Sequence, residues 1–69
     1  MTEIKIIGNG IIEINGTQYE RKLVYTSAKG ITATFKEITA DGNGRIIVLT
    51  KSYLLHKVTA KEAHEILLG

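Results

Sequence analysis

A small, mainly β domain is the fold class that this sequence predicts: an antiparallel barrel or sandwich, SH3-like or similar, of five to six short strands with a short C-terminal α-helix. Three observations predict it. Eleven Ile, three Val and eight Thr make 22 β-branched residues in a chain of 69, and such side chains lose χ1 freedom in a helix but pack well on a pleated sheet. Turn residues recur at near-regular intervals, as Gly8-Asn9-Gly10, Asn15-Gly16, Lys29-Gly30 and Asp41-Gly42-Asn43-Gly44. Between them the residues alternate with a period of two, the pattern of strands that bury one face.

The first strand is expected over Glu3–Ile7, where Ile4 and Ile6 alternate with Glu3 and Lys5. The second is Ile11–Ile14. Asn15-Gly16 then closes a two-residue hairpin, because both positions of a primed turn need positive φ and these two residues tolerate it. The third strand, Thr17–Thr26, places Tyr19, Arg21, Leu23 and Tyr25 on one face and Glu20, Lys22, Val24 and Thr26 on the other. Neither face is purely apolar, so a bend or a bulge partway is expected. The fourth, Ile31–Ile38, has the cleanest alternation, with Ile31, Ala33 and Phe35 on its apolar face. The fifth, Arg45–Lys51, carries Ile46 and Val48 on one side and Ile47 and Leu49 on the other. A strand apolar on both sides is expected to be covered on both, hence central or at an interface. Tyr53–Val58 reads either as a last, sixth strand or as the start of a longer helix.

At the C-terminus, Thr59 followed three residues later by Glu62 forms a capping-box pattern. Ala60, Ala63, Ile66 and Leu67 then recur at helical spacing, which predicts a helix over about 60–68 within a single domain spanning 1–69. Nine residues are marginal as an isolated helix, so this one must dock its apolar face.

Composition narrows the classes of function. With no cysteine there is neither a disulfide framework nor a thiolate metal site. The longest apolar runs fall far short of the ~20 residues of a membrane helix, so no membrane association is expected. The first twenty residues have neither the basic start nor the apolar run of a secretory signal, and a cytoplasmic location is expected. Ser27 and Ser52 sit in turn-like contexts without the surroundings of an activated nucleophile. His56 and His64 are eight apart, about 80° of rotation on one helix, a poor geometry for shared ligation. The seven acids fall mostly at polar-face positions. Gly8-Asn9-Gly10 opens no helix, so it lacks the mechanism of a phosphate loop, and Asp41–Gly44 lacks the later ligands of a calcium loop. No catalytic group, metal or cofactor is expected, and the chain reads as a non-enzymatic binding protein.

Charge is unevenly spread. Residues 1–20 carry a net −2 and residues 58–69 a net −1, whereas residues 21–57 carry +5. Arg21, Lys22, Lys29, Lys36, Arg45 and Lys51 are the candidate phosphate contacts, with Tyr25 and Tyr53 available to stack on bases. A basic β-face with aromatics is one way for a small barrel to hold DNA or RNA. In outline the Lys29-Gly30-led strand Ile31–Glu37, the turn at Gly42–Gly44 and the helix from Thr59 are similar to parts of the small archaeal chromatin proteins. The chain departs from them in having no Trp, fewer Lys and the additional stretch Tyr53–Val58, and no residue role is carried over.

The alternative expectation is a homo-oligomeric protein-interaction module, such as a small accessory or inhibitory protein of a phage or mobile element. Its candidate interface residues are Ile47, Leu49, Leu54, Leu55, Ile66 and Leu67, because the two-faced fifth strand and the residues after it hold more apolar surface than one short helix readily covers.

Overall fold

A computed structural model describes residues 2–69. Five strands form one antiparallel sheet in sequential order: β1 (Ile4–Gly8), β2 (Ile11–Ile14), β3 (Thr17–Ser27), β4 (Gly30–Glu37) and β5 (Ile46–Thr50). Two short helices follow, α1 (Lys51–Leu55) and α2 (Ala60–Leu68). The mainly β class and the C-terminal helix are therefore as expected, with strand limits shifted by a residue at some ends. The sheet is not closed. β1 and β5 lie at its opposite edges, and one face is covered by α1, which packs on β4 and β5, and α2, which packs on β3 and β4.

Turn chemistry sets the meander. Asn15 and Gly16 adopt φ values of 48° and 89°, the positive pair that a primed hairpin turn requires. The Asn15 N–H donates to the Glu3 carbonyl, and its side-chain oxygen accepts from the Glu3 N–H at 2.8 Å, which fixes the start of β1 against the turn. Gly44 is needed for a different reason: a Cβ there would fall onto the backbone carbonyl of Glu37.

A bulge divides β3. Register shifts between Arg21 and Leu23, so the four residues expected on one face are split. Tyr19 and Arg21 face the helices, in register with Glu37 and Phe35, whereas Leu23 and Tyr25 face away, opposite Thr34 and Thr32. One unpaired residue reverses the side-chain phase of everything after it.

Ile12, Tyr19, Ala33, Phe35, Leu49, Leu54, Ala63, Ile66 and Leu67 form the core, with Ile4, Ile14, Ile31, Ile47 and Val58 packed at its margin. Tyr53–Val58 resolves as helix and turn and not as a sixth strand. Thr50 ends β5 and caps α1, its hydroxyl accepting from the Tyr53 N–H at 3.1 Å, which turns the chain so that Leu54 is fully buried. The capping box of α2 is formed as expected: Thr59 Oγ1 accepts from the Glu62 N–H, and Glu62 Oε1 accepts from the Thr59 N–H. Ala63, Ile66 and Leu67 of this helix are buried, while Ala60 stays exposed. No helix is long and apolar enough to cross a membrane among the described residues.

Candidate functional site

The face of the sheet turned away from the helices is the surface that the fold leaves open. Residues directly opposite one another in neighbouring strands share a face, so the register gives its rows. Leu23, Thr34 and Val48 make one row, Tyr25, Thr32 and Thr50 a second, and Glu20, Lys36 and Ile46 a third. Lys5, Glu13 and Gln18 continue the face across β1, β2 and the start of β3. Leu23 is 65% exposed, Ile46 66% and Val48 54%. Three large aliphatic side chains thus stand in water on one face, Leu23 on β3 and Ile46 and Val48 on β5, with β4 and its Thr34 between them. Thr32 is the exception on this face: it is buried, and its hydroxyl shares a hydrogen bond with Ser27 Oγ at 3.2 Å.

β5 is also an edge. The Glu37 N–H donates to the Arg45 carbonyl at 2.8 Å. In the antiparallel register that follows, Ile47 and Leu49 direct their backbone groups at β4, and Ile46, Val48 and Thr50 direct theirs outward. The other edge is blunted, because β1 carries Lys5 and a break in register between Ile6 and Gly8. β5 has neither a charge, a proline nor a bulge within it. Of the two placements expected for it, the central one is corrected: β5 is an edge strand, apolar on both sides and covered within the chain on only one.

The eight residues expected to contact nucleic acid do not converge. Arg21 lies on the helix side, where its guanidinium donates to the Ile66 carbonyl at 3.2 Å and the Gly69 carbonyl at 2.7 Å, at the C-terminal end of α2. That is a structural use of its charge, since the last carbonyls of a helix lack backbone partners and carry partial negative charge. Lys22 forms an ion pair with Glu20 at 2.9 Å. Lys29 sits at the tip of the β3–β4 turn, and Tyr53, on α1, has Lys57 Nζ 5.6 Å from its ring centroid. Lys22, Tyr25 and Lys36 do share the open face. Arg45 and Lys51 stand immediately before and after β5.

Of the candidate interface residues, Leu49, Leu54, Ile66 and Leu67 fill the chain's own core, Ile47 packs at its margin, and Leu55 is exposed. The most exposed large aliphatic side chains among the described residues are instead Leu23, Ile46 and Val48. Ile46 and Val48 were readable as the second apolar side of β5. Leu23 was not, because its direction depends on the bulge.

An open depression lined by Glu20, Lys22, Lys36, Glu37, Ile38, Thr39 and Gly42 holds as many acids as lysines. The Asp41 carboxyl is held below its ordinary value by the Asn43 N–H and the Thr39 hydroxyl, and that of Glu62 by the N–H and hydroxyl of Thr59. These are turn and cap bonds. Among the described residues no group of three or more His, Cys, Asp or Glu side chains is placed to hold a metal ion. Comparison with known proteins finds no matching family model, no matching curated protein and no matching solved structure.

Proposed function

We propose that this chain is a protein-interaction module that binds another polypeptide through the β5 edge and the adjoining open face of β3–β5. The observation that carries the reading is the exposure of Ile46 and Val48 on an edge strand that has no protective charge, with Leu23 exposed in the same row beyond Thr34. Unprotected edge strands are templates for strand addition, in which main-chain hydrogen bonds supply affinity and alternate side chains supply specificity. A second copy of the chain and an unrelated partner both belong to this reading. It is tested by selecting binders from a displayed library of random extended peptides and mapping them by amide shifts on labelled protein. Perturbations should centre on Ile46–Thr50 and reach Leu23 and Tyr25. Binders that cluster on another surface, or a selection that enriches none, would overturn it.

A nucleic-acid-binding reading retains one specific support, the sharing of the open face by Lys22, Tyr25 and Lys36. Phosphate contacts make affinity fall steeply with salt, so titration with duplex and single-stranded oligonucleotides at two salt concentrations separates the readings. Absence of binding at ~50 mM salt removes this one.

A further inference from the structure

We propose that the occupant of the β5 edge is an extended segment of a different polypeptide, aliphatic in its centre and acidic at both ends. The inference rests on the reading of β5 as an interaction edge and adds the chemistry of the partner.

The charge around the edge carries it. β5 itself is uncharged, and Arg45 and Lys51 bracket it. Lys36 stands on β4 directly opposite Ile46, on the open face. None of these three cations makes an ion pair among the described residues, where the ion pair formed is that of Lys22 with Glu20. The acid that touches this edge, Glu37, is engaged as an acceptor for the Arg45 backbone N–H at 3.3 Å. An incoming strand would therefore pair with the outward backbone groups of Ile46 and Val48 and the Thr50 N–H, the Thr50 carbonyl being taken by the first turn of α1, and meet a cation at each end. The six steps from Arg45 to Lys51 span about 20 Å of extended chain, which sets the spacing of the two acids. Because both ends are cationic, the pattern is satisfied by either strand direction.

The same charges disfavour a second copy. Full antiparallel overlap of two β5 strands places Val48 against Val48 and Ile46 against Thr50. It also places Arg45 opposite Lys51 of the other copy, twice over. Like charges directly opposite each other in a sheet are destabilising. An acidic segment turns both repulsions into attractions.

The test is an amide-shift titration with three synthetic peptides that share an alternating Thr and Val centre. They carry Glu, Gln or Lys at both ends, with the end residues six positions apart. The Glu peptide should bind at Ile46–Thr50 about three- to tenfold more tightly than the Gln peptide at low salt, as two exposed ion pairs would give. The Lys peptide should be weaker still. In the double variant Arg45→Glu with Lys51→Glu the order should reverse, and since both residues are exposed this variant should keep the fold. If all three peptides bind equally at β5, the acidic partner is overturned and the interaction edge stands. If none binds at β5, both fall. A solution mass of twice 7.6 kDa that Val48→Lys returns to the single-chain value would identify a second copy and overturn the inference. So would displacement of the Glu peptide from β5 by a short DNA duplex.

Discussion

Arg21 shows how a charge that looks available in the sequence is committed by the fold. Its two bonds reach residues 45 and 48 positions further along the chain and close the end of α2 onto β3. Arg21→Gln should destabilise the protein by about 1–2 kcal/mol, the cost of removing a charged donor from partly buried carbonyls. Urea denaturation checks this, and the substitution should leave any binding at β5 unchanged. Glu62 contributes to the loss of stability in acid. Its carboxyl is held below the ordinary value of 4.5 in the folded chain, chiefly by the Thr59 N–H and then by the Thr59 hydroxyl. A depressed folded value means that the unfolded chain binds the proton more readily. The contribution is thus complete above the ordinary carboxylate value and is lost as pH falls through the folded one. Asp41 acts in the same sense from its ordinary value of 3.8. A Glu62→Gln, Asp41→Asn double variant should show a shallower loss of stability on acidification below about pH 4.5, read from urea midpoints at stepped pH.

At the scale of elements, the two helices form the second layer that lets so short a chain bury one side of its sheet. Leu54 is fully buried on a helix of only five residues, so α1 is held by its packing and its Thr50 cap and not by its own length. Leu54→Ala should cost about 2–5 kcal/mol and broaden the amide resonances of α1, which thermal melts and NMR spectra would register. Much of the element plan was legible in advance. The Asn15-Gly16 hairpin, the Ile31–Phe35 alternation and the Thr59–Glu62 box are local signals with local causes, and each appears where its residues put it. What stayed hidden depends on tertiary context. Tyr53–Val58 has no strong helix pattern of its own, and its conformation follows from the Thr50 cap and the burial of Leu54. The phase of β3 was ambiguous because one inserted residue decides whether Leu23 faces the helices or water, and no residue type announces where that insertion falls. The apolar side chains on both sides of β5 predict a strand covered on both, whether centrally or at an interface. Covering, however, depends on which elements remain to be placed, and both helices went to the same side.

For the molecule as a whole, this leaves a domain finished on one side and available on the other. Val48 is more than half exposed, so Val48→Lys should change stability by no more than about 0.5 kcal/mol. It should also protect the edge as natural edge lysines do. The expected outcome is an unaltered melting transition, together with loss of peptide binding at β5 and a higher concentration limit before association, measured by light scattering.

The strand order has a kinetic consequence as well. Each strand pairs only with the strands next to it in the chain, so the sheet can assemble hairpin by hairpin with little loop-closure entropy at each step. The hydrogen bonds of longest sequence separation among the described residues join α2 to β3, from Arg21 to the carbonyls of Ile66 and Gly69. A contact of that sequence separation is suited to form late, after the meander is in place. Weakening it should then chiefly hasten unfolding and leave the folding rate nearly intact, so the Arg21 clasp contributes to how long the folded state lasts.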